Sequence, residues 1–260
     1  MGAELITQPI HRLTGAKRFL STLMLGMLAA CGGGTDGAAP TPAPAPVATP
    51  PVPQVAAGTW VVMGSSTAAG AGAPEGKGWA ALLSATYAGR GAQVVNIAKG
   101  GTVTYEGLST TSARVPGRPA PDPAINIDQA LSHKPVLLIV SYPTNDTALG
   151  YSVDETVNNV FAIRSQALAA GVPVVISSTQ PRNLTSAQLS QLQAIDQRVA
   201  ARVGECLLHV RELLAGADGK LAPLYDSGDG VHPNEAGHRV IATQFQSLLN
   251  SDKCVRLSNN

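Results

Sequence analysis

The sequence predicts an α/β fold in three layers, a five-stranded parallel sheet with helices on both of its faces. Three observations carry the prediction. Five short apolar runs rich in Val, Ile and Leu are spread over residues 59–210, stretches with a helical period separate them, and clusters of Gly, Ser, Thr, Asn or Asp follow the runs. Strands that are apolar on both sides, rather than alternating, belong to sheets buried on both faces.

The first run, 59–63, reads Thr-Trp-Val-Val-Met and stops at Gly64, and a helix over 79–87 follows a Gly-rich connection. The second run is 93–97, the next helix 125–132, and the third run, 136–140, is Val-Leu-Leu-Ile-Val. A helix over 153–170 has a capping box in Ser152-x-x-Glu155 and a stop at Gly171. The fourth run is 172–176. Thr185-x-x-Gln188 then opens a helix over 186–203, where Leu189, Leu192, Ile195, Val199 and Val203 fall on one face. The fifth run is 206–210, and a last helix over 234–249 turns Ile241, Phe245 and Leu248 to one side. A βαβ series of this kind obeys the right-handed crossover rule, and its crevice lies at the carboxyl ends of the strands.

Charge excludes one class of function. Charged residues are 13% of the 260, against about 25% in an average chain, and the formal net charge is +1. No electrostatic footprint for nucleic acid exists. The 27 Gly and 19 Pro exceed what one compact domain needs, and they point to the first 56 residues. Lys17 and Arg18 precede an apolar run, 19–30, that is shorter than the roughly 20 residues of a membrane span and reads as a signal peptide over 1–30. It ends Leu28-Ala29-Ala30-Cys31, which resembles the lipobox of bacterial lipoproteins; that resemblance implies lipidation of Cys31, a membrane partner and the cell envelope of a Gram-negative bacterium. An ordinary cleavable signal is the alternative. Residues 31–56, with seven prolines between Gly32 and Gln54, read as a semi-rigid linker. One domain, 57–255, remains.

The residues just after the strands come next. The first run leads into Gly64-Ser65-Ser66-Thr67, the second into Ala98-Lys99-Gly100-Gly101-Thr102, and the third into Tyr142-Pro143-Thr144-Asn145-Asp146; Asp229-Gly230-Val231-His232 precedes the last helix. Four loops thus bring a hydroxyl, glycine amides, a side-chain amide and an Asp/His pair to one edge. Acyl transfer needs those parts: a nucleophile, a base, a group that orients the base, and donors for an oxyanion.

On these four blocks, in order over roughly residues 59–249, the chain resembles the SGNH, or GDSL-type, hydrolase superfamily. The resemblance implies a flavodoxin-like fold and an ester hydrolase whose nucleophile is Ser66, with His232 as base and Asp229 behind it. It also implies an oxyanion hole from the Ser66 and Gly101 amides and the Asn145 side chain. No cofactor or metal is implied; the partner is a small-molecule ester, and the protein is expected as a monomer. Carbohydrate O-deacetylation or acyl transfer on envelope polysaccharide would use the same groups, and a non-catalytic ligand-binding module is the third reading. Two departures stand out: Ser65 replaces the Asp of Gly-Asp-Ser, and Pro143 the Gly of Gly-x-Asn-Asp.

Other candidates fail. Residues 70–78 resemble a phosphate loop but have Ala71 for its first Gly and Gly78 for its Ser or Thr; they read as a flexible loop beside the site. Residues 226–230 lack the ligand spacing of a calcium loop. His133, His209 and His238 read as surface or satisfied residues. The stretch 104–123, rich in Ser, Thr and Pro, is expected over the site. Cys206 begins the fifth run, and the last helix should return toward that edge near Cys254, so a disulfide between them is one reading and two buried thiols the other.

Overall fold

A computed structural model describes residues 51–142 and 144–258. The signal segment, Cys31 and nearly all of the linker lie outside these residues, as does Pro143. The sheet contains β2 (Gly58–Gly64), β3 (Ala92–Asn96), β4 (Leu137–Ser141), β5 (Val174–Ser177) and β6 (Leu207–Leu208), in the order β3-β2-β4-β5-β6 with every pair parallel. Because successive side chains point to opposite faces, each strand feeds two cores. Val61, Met63, Leu138, Val140 and Ile176 meet α3 (Ile127–Ser132), α5 (Val153–Ala169) and α6 (Ser186–Val203). Trp60, Val62, Leu137, Ile139 and Val175 meet α2 (Trp79–Tyr87) and α8 (Glu235–Asn250), where Trp79 stacks on Phe245 at 4.7 Å. The fold is the expected three-layer α/β/α arrangement.

Side-chain caps set the starts of α3, α5, α6 and α8. Ser152 and Thr185 accept hydrogen bonds from the Glu155 and Gln188 amides, and both side chains of the third position reach back to the cap. α3 starts at Ile127, two residues later than the sequence suggests, because Asn126 caps it through the Gln129 N–H. β5 also starts two residues late; Pro173 has no N–H for the ladder, although its carbonyl accepts from Leu138. β6 is only two residues long: Cys206 closes a 3-10 turn, Gly204–Cys206, and the Val210 amide donates to Ser178 Oγ instead of a strand.

Three four-residue helices escaped the periodicity: α1 (Ser66–Ala69), α4 (Asn145–Ala148) and α7 (Arg211–Leu214). So did a two-stranded ribbon in which β1 (Gln54–Val55) pairs with β7 (Arg256–Leu257), leaving Val55 only 2% exposed. The chain on either side of 57–255 therefore takes part in the fold. Cys206 and Cys254 form a disulfide.

The stretch 104–123 behaves otherwise than expected. Tyr105 and Leu108 enter the core, Asp128 accepts from Thr110, and Arg118 sits 2.6 Å from Glu155 and over the Tyr151 ring. It packs on α3 and α5, and its polar residues are explained by those partners. Residues that line the cavity at Ser66 come from elsewhere.

Candidate active site

Ser66 is the first residue of α1, directly after β2, and that sharp strand-to-helix entry has a steric condition. A Cβ on Gly64 would lie 2.1 Å from the Ser141 carbonyl oxygen of β4, so only glycine lets the two chains approach this closely. As a first-turn residue, Ser66 has a backbone N–H without an intrahelical acceptor.

His232 Nε2 lies 2.9 Å from Ser66 Oγ, and His232 Nδ1 lies 2.6 Å from Asp229 Oδ2. The other carboxylate oxygen, Oδ1, accepts from the Val231 and His232 amides, both at 2.8 Å. Both oxygens are thus fixed, and the ring's Nδ1–H points at the carboxylate. Partial burial opposes ionisation of Asp229, but the bonds from the His232 backbone and ring and the Val231 backbone outweigh it and hold the carboxyl well below its usual range. An ionised Asp229 keeps the lone pair of Nε2 on the serine side, the arrangement needed to take a proton from Oγ.

The loop is built to hold this shape. Asp226, which in sequence faintly suggested a cation loop, turns its Oδ1 to the Gly228 and Gly230 amides. Asn234 caps α8 through the Gly237 amide and donates to the Leu224 and Asp226 carbonyls. His238 is a satisfied core residue: Nδ1 accepts from the Trp79 amide at the start of α2, and Nε2 donates to the Ala71 carbonyl. The 70–78 loop is therefore anchored at its start, with Gly72 against His232 and Pro233. Burial, and secondarily the nearby His232, lower the pKa of His238; its bond to Ala71 offsets part of this.

Asn145 is the first residue of α4. Its amide donates to Ser65 Oγ at 2.7 Å and the Thr102 carbonyl at 2.9 Å, and its Oδ1 accepts from Arg182 Nη1 at 3.1 Å. Asp146 beside it is buried and accepts from the Thr104 amide and hydroxyl, while Asn159 donates to the same hydroxyl. Burial raises the Asp146 pKa against those bonds. Gly100 faces Ser66 closely enough that a Cβ there would contact the serine Cβ at 3.8 Å. Gly101, with φ +80°, and Ser66 have backbone N–H groups with no acceptor among the described residues.

The geometry gathers Ser66, His232 and Asp229 directly, and Asn145 and the Gly100-Gly101 turn around them. Sequence reasoning missed Ser65 as the acceptor for Asn145, and it missed Arg182, six residues into the chain after β5's Ile176. A cavity of about 430 Å³ opens beside Ser66, lined by Ala69, Ala71, Ala73, Ala80, Ala81 and Asn96. Small-molecule sites have this size. Among the described residues, no three His, Cys, Asp or Glu are grouped as metal ligands.

The chain is similar to known proteins in sequence and in fold. Residues 62–240 match the GDSL-like Lipase/Acylhydrolase family. The chain is 28% identical to Esterase TesA of Pseudomonas aeruginosa over 184 residues, 69% of this chain and 82% of that protein. A crystal structure of TesA superposes with a TM-score of 0.57 at 24% identity, over 75% of this chain and 99% of that one. The psychrotrophic esterase EstA from Pseudoalteromonas sp., in a structure inhibited by monoethylphosphonate, gives a TM-score of 0.57 at 16% identity, over 75% and 97%. With the family match spanning most of the fold, the chain belongs to the GDSL-like lipase/acylhydrolase family and is a hydrolase acting on ester bonds.

Proposed function

We propose that the protein is a serine esterase that cleaves short-chain acyl or aryl esters, thioesters included, through an acyl-enzyme on Ser66. The observation that carries the reading is the unbroken relay from Asp229 Oδ2 through the His232 ring to Ser66 Oγ, at 2.6 and 2.9 Å. Ser66 Oγ attacks the ester carbonyl while His232 Nε2 takes its proton, and the carbonyl electron pair moves onto oxygen. The Ser66 and Gly101 amides and Asn145 Nδ2 stabilise that oxyanion, each donor being worth about 3–4 kcal/mol in the transition state. Collapse of the intermediate breaks the bond to the alcohol or thiol, which leaves with the proton from His232. Water, deprotonated by the same ring, then releases the acid.

The test is Ser66→Ala. Turnover of p-nitrophenyl acetate and butyrate should fall by about 10³-fold or more, and labelling by an alkyl phosphonate should vanish, with the circular dichroism spectrum retained. Undiminished hydrolysis in that variant sinks the assignment. A series of p-nitrophenyl esters of increasing chain length then measures what the alanine-walled cavity admits.

A lipid on Cys31 would hold this esterase at the envelope of a Gram-negative cell, where it acts as a monomer on diffusing esters. The motif Leu28-Ala29-Ala30-Cys31 supports this part. Cells fed an alkynyl fatty acid should label the wild type and not Cys31→Ala; equal labelling of both refutes the anchor.

A further inference from the structure

Asn145 presents a problem that its neighbours resolve. A primary amide has two protons and one carbonyl oxygen, and flipping it by 180° exchanges the two ends with almost no change in shape. For oxyanion binding only the orientation with nitrogen toward Ser66's side of the crevice serves. Ser65 Oγ is a hydroxyl, donor and acceptor alike, so it accommodates either orientation. The Asp that the family carries at this position would, when ionised, accept only and so force the nitrogen toward it. The Ser65 departure therefore weakens the orientational preference of Asn145.

Two groups restore it. The Thr102 carbonyl can only accept, and it lies 2.9 Å from Nδ2. The Arg182 guanidinium can only donate, and Nη1 lies 3.1 Å from Oδ1. In the flipped amide both contacts would become like against like, oxygen on oxygen and N–H on N–H. Arg182 is also set at a defined distance from the catalytic loop. On one side of it Gln180 Nε2 donates to the Val231 carbonyl at 2.7 Å; on the other the Asn183 amide donates to the Gly230 carbonyl at 2.8 Å. The same short segment thus grips the Asp229–His232 loop and the oxyanion-hole amide.

We propose that Arg182 is a positioning residue of the oxyanion hole: by holding Oδ1 it keeps the Asn145 nitrogen on the side of Ser65 and Thr102, next to Ser66 in the chain, and, by drawing electron density to Oδ1, strengthens its N–H groups as donors. Hydrogen bonds in a chain polarise one another in this way. Both amide protons are engaged by neutral acceptors in the resting site, so one must be released when the oxyanion forms; an anionic acceptor makes the stronger bond and wins that exchange. The proposal rests on the serine-esterase reading, which gives Asn145 its task.

The experiment combines kinetics with a probe that needs no turnover. Arg182→Met should lower kcat about 10- to 100-fold with KM changed by less than about threefold, a fraction of the 10²–10³ that losing an oxyanion donor outright costs. Arg182→Lys, which can still donate to Oδ1, should recover part of the loss. In an Asn145→Ala background Arg182→Met should cost no more than about twofold, since the group it orients is gone. The second readout is the Asn145 side-chain amide resonance pair, assigned by its absence in Asn145→Ala: Arg182→Met should shift it. An unchanged kcat, a loss confined to KM, or a loss that persists in the Asn145→Ala background overturns the proposal. So do unmoved amide resonances, whether or not the protein hydrolyses esters. A wild type inactive on all esters overturns instead the reading of the preceding subsection.

Discussion

Removing the Cys206–Cys254 disulfide is the perturbation with the best-defined magnitude. The two residues are 48 apart in sequence and Cys254 is buried. In the chain-entropy model a closed loop of that length removes about 14 cal/mol/K from the unfolded ensemble, or about 4 kcal/mol at 25 °C. A fold of about 200 residues has an unfolding entropy near 0.4 kcal/mol/K, so melting should drop by about 10 °C. The loss has a location as well. Cys254 and Val255 pack in the α2–α8 core, and β7 begins at Arg256, so freeing the tail also frees the ribbon that holds β1. The assay is thermal unfolding followed by circular dichroism, with and without reductant, on the wild type and on the Cys206→Ala/Cys254→Ala double variant. The reduced wild type and the variant should melt together and below the oxidised protein, and amide exchange at Val55 should quicken. A difference under about 2 °C, or two thiols that react in the native protein, would refute the reasoning.

Four further outcomes follow from the geometry. Asp229→Asn should cut kcat by about 10³-fold or more at neutral pH, because an amide cannot accept at both of the positions where the Asp229 oxygens accept. Gly72→Ala should impair both stability and kcat: φ is +93°, and its Cβ would stand 2.2 Å from the Pro233 carbonyl and 2.9 Å from the His232 Cβ. Chemical denaturation against pH checks His238. Since burial lowers its folded pKa below 6.5, the stability it contributes is complete above that pH and falls as acid is added, a slope that His238→Gln should flatten. Glu155, held at about 2 chiefly by Arg118, is also a depressed group; its contribution is complete above about 4.5 and lost toward pH 2, and Glu155→Gln should reduce the acid sensitivity of the urea midpoint.

The sheet was legible because its inner strands, β2, β4 and β5, are apolar on both faces, and its carboxyl edge was legible because Gly, Ser, Asn and Asp follow the strands there. Ser66, Asp229 and His232 meet for that reason: a topology rule turned three distant positions into neighbours. The meeting of Cys206 and Cys254 followed from the same rule applied to the opposite edge. What stayed hidden depends on partners without a local pattern. Residues 104–123 looked like a cover for the site because they are polar, yet Arg118 and Thr110 answer to Glu155 and Asp128 across the fold. Arg182 gave no signal either, as nothing near it in the chain announces Asn145. The short β6 reflects its place at the sheet's edge, where one neighbour and a serine hydroxyl replace a full ladder.

The β1–β7 ribbon has a consequence for orientation. It joins the fold just before Gly58, at the amino edge of the sheet, whereas Ser66 follows Gly64 at the carboxyl edge. Seven residues of strand, at about 3.3 Å each, put the point of attachment and Ser66 about 23 Å apart at opposite ends of the sheet. The chain therefore enters the domain at the end of the sheet opposite Ser66.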